Sequence, residues 1–222
     1  MPYGRDQMTS IAQDLARRGF AVWNLEYRRL GASAGGWPGT FHDAIAGIEH
    51  LASLVSAGID LDLDHITIVG HSAGGQLALW SAARKRSDRK GGATERIQIR
   101  AAVGLAPVAD LVRAYELSLG GGAVAELLGG APTDQAARYQ AASPRAMLPL
   151  DVLQLVIHGT ADDVVPVEIA RSYTQAARTA GDRIELVELS DTGHMDYLDP
   201  SSAAHAALCD WLARNSSGSS CM

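Results

Sequence analysis

Residues 66–80 read ITIVGHSAGGQLALW, and the fold turns on how they are parsed. Ile66, Thr67, Ile68 and Val69 are β-branched, which suits a strand, while Ala73 to Trp80 are rich in alanine and leucine, which suits a helix. Between them Gly70-His71-Ser72-Ala73-Gly74-Gly75 sets a serine among glycines at the seam. G-x-S-x-G in that position matches a sharp strand-to-helix turn that exposes the serine oxygen, with small neighbours relieving the crowding. A glycine turn around an unreactive serine gives the same letters. A phosphate-binding loop is disfavoured, because no Lys-Ser/Thr ending follows.

Outward from that turn, strand and helix alternate on both sides. Met8, Ile11 and Leu15 stand at helical spacing within residues 5–18, and Arg17-Arg18-Gly19 supplies basic residues and then a helix-ending glycine. FAVWNLEY, residues 20–27, reads as a buried strand, followed by the glycine-rich loop RRLGASAGGWPGT. Thr40-Phe41-His42-Asp43 resembles a capping box ahead of a helix carrying Ile45, Ile48, Ala52 and Val55. Downstream we expect strands at 65–70, 97–105, 152–158 and 184–189, with helices at 74–86, 167–179 and about 200–213. The last helix sets Ala204, Ala207, Leu208, Trp211 and Leu212 on one face. Several strands are unbroken apolar runs, the mark of strands covered on both faces. The fold class is therefore α/β, a mostly parallel sheet with helices on both sides.

Residues 107–147 break this rhythm, with Gly120-Gly121-Gly122, Gly129-Gly130 and no strand signal. We read them as a short helical cap covering a pocket at the strand C-terminal ends. Residues 1–214 are expected to form a single domain and 215–222 a flexible tail. A chain of 222 residues, 47% hydrophobic and 20% charged, buries one sizeable core. Its net charge of -6 is spread without blocks, which leaves no footprint for nucleic acid or a membrane surface and keeps small neutral substrates open. Cys209 and Cys221 have neither zinc-site nor disulfide-framework spacing, so a reducing, cytoplasmic setting is expected. There is no apolar run of membrane-spanning length, and MPYGRDQMTS lacks the flanks of a secretory signal.

A serine hydroxyl is a weak nucleophile near neutral pH; it needs a positioned imidazole, and the imidazole needs an acid to fix its tautomer. Both stand downstream at strand ends. LQLVIHGTADDVVP, residues 153–166, closes a strand at His158 and offers Asp162 and Asp163 in the following turn, and IELVELSDTGHMDYLDP, residues 184–200, places His194 after the next strand. Asp191 and Asp196 share the loop of His194 and would have to fold back on it. His71 and His158 read as packing and hydrogen-bonding residues, and His42, His50, His65 and His205 as surface or helix-face residues. A metal site built from His158, Asp162 and His194 is disfavoured, since an HGTADD turn reads better as carrying a triad acid.

GHSAGG, HGTADDVVP and GHMDYLDP, together with EYRRLG and GWPGTFHDA, carry a resemblance over the whole chain to the α/β-hydrolase superfamily. The chain is similar to the branch that joins small carboxylesterases, kynurenine formamidases and prolyl-oligopeptidase-like hydrolases. The H-G-x-x-D motif of that branch selects Asp162 over Asp163. The resemblance implies that Ser72 attacks an acyl carbonyl, His194 relays its proton, Asp162 orients His194, and the Ala73 N–H faces the developing oxyanion. It also implies a second oxyanion donor, on an HGG-type loop after an early strand lying between 20–26 and 65–70. Nothing resembling that element precedes MPYGRDQM. The explanations are an internal methionine taken as the start, which we favour, a fragment, or a divergent protein. On the favoured reading the fold is N-terminally truncated, and a chain extended upstream of Met1 gains activity and stability.

The expected function is a cofactor-free serine hydrolase that cleaves small carboxylic esters through an acyl-enzyme. The alternatives are an arylformamidase or other small-amide hydrolase and, in another class, a non-catalytic binding protein on the same fold. Leu111, Leu117, Leu119 and Leu127 are candidates for an acyl pocket or for ordinary core, and Trp37 borders the site or serves structure. An open sheet edge favours a homo-oligomer.

Overall fold

A computed structural model describes residues 4–84 and 97–215. Cys221, residues 216–222 of the expected tail and the expected helix end at 85–86 lie outside the described residues. Among the described residues four strands, β1 (Ile66–His71), β2 (Ile99–Leu105), β3 (Leu153–Gly159) and β4 (Ile184–Leu189), form a parallel sheet in the order β1-β2-β3-β4. The helices are α1 (Thr9–Arg17), α2 (Gly39–Ser56), α3 (Ala73–Ala83), α4 (Leu111–Glu116), α5 (Ala123–Leu128), α6 (Ala136–Ala142), α7 (Val167–Thr179) and α8 (Ala203–Asn215). Among the described residues no helix is long and apolar enough to cross a membrane.

The pleat sorts the core into two layers, because successive strand residues face opposite sides. Ala101, Val103, Leu105, Leu155 and Ile157 pack with Ile11 and Leu15 of α1 and with Leu208, Trp211 and Leu212 of α8. One residue out of step, Ala102 and Val156 pack with Leu79 of α3 and with Ala170 and Tyr173 of α7. On the side of α3, Ile66 and Ile68 of β1 meet Ile48 and Leu51 of α2. Covered on both faces, the middles of β2 and β3 are apolar runs, Ala101 to Leu105 and Leu155 to Ile157, whereas β4 interposes Glu185 and Glu188.

The excursion at 107–147 is helical. Leu111, Ala114, Val124, Leu128, Tyr139 and Ala142 build a core of their own with Phe41 of α2 and Leu77 and Trp80 of α3. Gln76 and Trp80 donate side-chain hydrogen bonds to the carbonyls of Ala142 and Ala141, each at 2.8 Å. Of the four acyl-pocket leucines, Leu111 is buried in this core, Leu119 and Leu127 pack partly against it, and Leu117 is exposed. Trp37 packs edge-on against Phe41, and its backbone N–H donates to Leu127 at 2.7 Å, so it binds loop to excursion.

Two local expectations are corrected. FAVWNLEY joins no ladder and is not a buried strand: Val22 and Trp23 are exposed. Side chains hold it instead, with Trp23 donating to the Gly47 carbonyl, Asn24 to the Arg5 carbonyl, and Glu26 accepting from the Arg5 N–H. A strand exists by pairing, and β1, which the segment faces, offers it no bonds across the gap between them. Nor do Thr40 and Asp43 cap α2, since both lie inside that helix and its N-cap position is Pro38. Thr40 donates to the Arg28 carbonyl and accepts from the Gly36 N–H, while Asp43 pairs with the Arg28 guanidinium at 2.7 Å. Both residues hold the glycine-rich loop.

Leu155→Ala, in the middle of the sheet, is expected to lower unfolding free energy by about 2–5 kcal/mol in urea titration, whereas Val22→Ala changes it by no more than about 0.5 kcal/mol. Equal losses would place residues 20–27 in the core after all.

Candidate active site

Ser72 follows β1 and precedes α3, with φ 55° and ψ -118°, a conformation that non-glycine residues rarely adopt and that throws its side chain out of the turn. Its backbone is fixed from two sides: the Ser72 N–H donates to Leu105 at 2.8 Å and its carbonyl accepts from Gln76 at 3.0 Å. The glycines differ in their roles. A Cβ on Gly70 would lie 2.0 Å from the Gly74 carbonyl oxygen, and one on Gly75 would crowd Gly70 and Pro107, whereas one on Gly74 would meet nothing nearer than the Tyr27 hydroxyl at 3.8 Å. Gly70 is thus the residue the turn cannot do without.

Asp162 leaves the end of β3 with its side chain fully buried. One carboxylate oxygen accepts the Val164 and Val165 N–H groups at 3.0 and 2.8 Å, and the other meets His194 Nδ1 at 2.8 Å. Burial alone would raise its pKa; the hydrogen bond from His194 and the two backbone donors outweigh it and hold the carboxyl below its ordinary value. An ionised carboxylate only accepts, so His194 Nδ1 is the donor in this contact. Asp163 is exposed, so of the adjacent pair it is Asp162 that meets His194.

His194 is itself braced. His71, next to Ser72, donates from Nε2 to the His194 carbonyl at 2.8 Å, and the two rings lie 4.6 Å apart. Asp196 accepts the Gly193 N–H at 2.7 Å and Tyr197 accepts the Gly159 N–H, tying the loop to the end of β3. Gly159 permits this contact, since a Cβ there would fall 2.0 Å from the Thr192 carbonyl. The sequence reading passed over Tyr197; its one signal was an aromatic residue three positions past His194 in a polar loop. Ser72 thus lies in the corner that holds His194 and Asp162, although its hydroxyl makes no hydrogen bond among the described residues. Ala73, the first residue of α3, is exposed, with its N–H in the unpaired first turn.

The other candidates fall elsewhere. His158 is buried and donates to the Val165 carbonyl at 2.8 Å, while His42, His50 and His65 are exposed. His205, expected on a surface or helix face, is buried beneath α1, where Nε2 meets Asp14 at 2.7 Å and lies 3.3 Å from Cys209 Sγ. Asp14, His205 and Cys209 stand close enough to share a cation, but Arg18 donates to the same Asp14 oxygen at 2.6 Å and already answers its charge.

The chain matches the BD-FAE family over residues 3–176. Among solved structures it resembles an acetyl ester-xyloside bifunctional hydrolase from Caldicellulosiruptor lactoaceticus, with TM-score 0.69 and 21% identity over 92% of this chain and 75% of that one. It also resembles the bifunctional GH43-CE protein of Bacteroides eggerthii, with TM-score 0.76 and 23% identity over 95% of this chain but only 31% of that one. A third likeness is to the thermophilic esterase Est2 of Thermogutta terrifontis, with TM-score 0.69 and 24% identity over 97% of this chain and 79% of that one; Est2 has also been solved with propionate and with butyrate bound. Comparison with curated protein sequences returned no match.

Two substitutions and a pH series probe this geometry. Gly70→Ala is expected to destabilise by well over 1 kcal/mol in chemical denaturation, while Gly74→Ala is neutral or stabilising by up to about 1 kcal/mol. Burial, with the charge of His194 second, pushes the His71 pKa down to about 4. From pH 6.5 down to about 4 the unfolded chain therefore binds a proton at this position that the folded chain refuses, and stability falls as pH falls, by up to about 3 kcal/mol. His71→Gln, which keeps a donor for the His194 carbonyl, should flatten that slope; an unchanged slope would show His71 already protonated when folded. By its match over residues 3–176, the chain belongs to the BD-FAE family, an esterase family of the α/β-hydrolase superfamily.

Proposed function

We propose that the chain hydrolyses small carboxylic esters through a covalent acyl-enzyme, with Ser72 as nucleophile, His194 as general base and then acid, and Asp162 as its orienting partner. The observation that carries the reading is the 2.8 Å contact of His194 Nδ1 with buried Asp162, beside a serine held in a strained turn. With Nδ1–H committed to Asp162, Nε2 takes the Ser72 proton as Oγ attacks the acyl carbon. The positive imidazole is stabilised by the buried carboxylate, and the carbonyl oxygen draws on the Ala73 N–H at the start of α3. His194 then protonates the leaving alcohol, and water repeats the sequence to release the acid. The short-chain acids bound to Est2 support a small acyl group. The free thiol of Cys209 suits a reducing, cytoplasmic setting.

The chain should turn over p-nitrophenyl acetate, Ser72→Ala should lower kcat by at least about 10³-fold, and Asp162→Asn by about 10²–10⁴-fold. A Ser72→Ala protein that retains the parent rate overturns the reading. N-formylkynurenine, assayed beside an ester of similar size, separates ester from amide preference; faster turnover of the formamide makes the chain an arylformamidase.

A further inference from the structure

Beside the relay lies a buried titratable ring that takes no proton in it. His158, the last residue but one of β3, is fully buried and faces Asp162 across the turn that begins there. Its Nε2 donates to the Val165 carbonyl at 2.8 Å and stands 3.5 Å from Asp162 Oδ2, the oxygen that meets His194. A carbonyl only accepts, so the ring proton sits on Nε2. Nδ1 is then a bare acceptor, and it is buried with no hydrogen-bond partner among the described residues. An unmet buried acceptor is costly, and an apolar side chain of similar size would fill the same space without one. Packing alone therefore does not account for an imidazole at this position; the Nε2–H does.

We propose that His158 is a positioning residue of the hydrolytic site, acting through Val165 on Asp162; this rests on the reading of Ser72, His194 and Asp162 as a relay. Val165 is held at both ends of its backbone, since its carbonyl accepts from His158 and its N–H donates to Asp162 Oδ1 at 2.8 Å. The Val164 N–H meets the same oxygen at 3.0 Å, so Oδ1 is fixed on the loop side and Oδ2 is left facing His194. One side chain thus closes the turn from residue 158 to residue 165 and sets the plane of the carboxylate. Charge matters as well as reach. Burial pushes the His158 pKa down, so the ring near Oδ2 is neutral at neutral pH and does not compete with His194 for the charge of the carboxylate.

The test is a double-mutant cycle read by turnover of p-nitrophenyl acetate, with the proton NMR spectrum as a second readout. His158→Leu removes the donor, His158→Asn leaves an amide too short to reach Val165, and His158→Gln carries an N–H at the reach of Nε2. The first two are expected to lower kcat by about 10²-fold with KM changed by no more than about threefold, while His158→Gln keeps kcat within about fivefold of the parent. Made in an Asp162→Asn chain, His158→Leu or His158→Asn lowers kcat by no more than about threefold, because the interaction it would break is already gone. A His194 Nδ1–H bonded to a buried carboxylate gives a low-field proton resonance, assigned by its absence from Asp162→Asn. That resonance should persist in His158→Gln and move upfield or vanish in His158→Leu and His158→Asn. Equal losses of kcat in both backgrounds, or a resonance that His158→Leu and His158→Asn leave unmoved, make His158 a purely structural residue and overturn the proposal. The resonance needs no substrate, so a parent chain that hydrolyses no ester refutes the reading of the site, and the resonance alone then decides the role of His158.

Discussion

The register of the four parallel strands is the constraint on which the rest depends. His71 stands opposite Leu105, Leu105 opposite Ile157, and Gly159 opposite Leu189, so the chain leaves β1, β3 and β4 along one rim. Three loops from sequence positions far apart, those of Ser72, Asp162 and His194, are thereby delivered to one corner. A slip of one residue in any pairing would turn that strand's core face to the wrong helix layer, so the packing that stabilises the fold also fixes the site. Contacts at the rim then refine the corner: His71 holds the backbone of His194, and Tyr197 ties the His194 loop to the end of β3.

Much of this was legible in the sequence wherever local pattern and burial agree. Helix 167–179 and strand 184–189 have the bounds expected from the sequence, because an amphipathic helix and a short strand rich in Ile, Leu and Val between turns mark their own limits. The turn after β3 offered both Asp162 and Asp163, and only the H-G-x-x-D resemblance pointed to Asp162, which is the one that meets His194. What escaped the sequence depends on a neighbour. FAVWNLEY has the composition of a strand, but composition supplies no ladder, and the residues end up tethered by side chains. Thr40 and Asp43 have the spacing of a cap and instead hold Arg28, a contact across the loop that no local rule contains. His205 gives no sign in sequence of the Asp14 carboxylate that buries it.

The molecule is accordingly uneven in how it is held. From β1 through β4 every strand has a partner and both faces are covered. At the front, α1 and α2 still form two layers, but the layer between them is hollow. Local stability follows packing density and hydrogen bonding, so motion is expected to concentrate there and not at the rim that carries His194 and Asp162. The strained turn at Ser72 sits at the boundary, anchored by β2 on one side and bordered by the cavity on the other.

The most direct measurement of the central claim is to treat the intact chain with a fluorophosphonate and locate the adduct by tandem mass spectrometry, alongside a His194→Ala chain. If the rim assembles a working relay, the adduct sits on Ser72 alone and is lost in the variant. An adduct on another residue, or labelling of Ser72 that is indifferent to His194, would contradict the account.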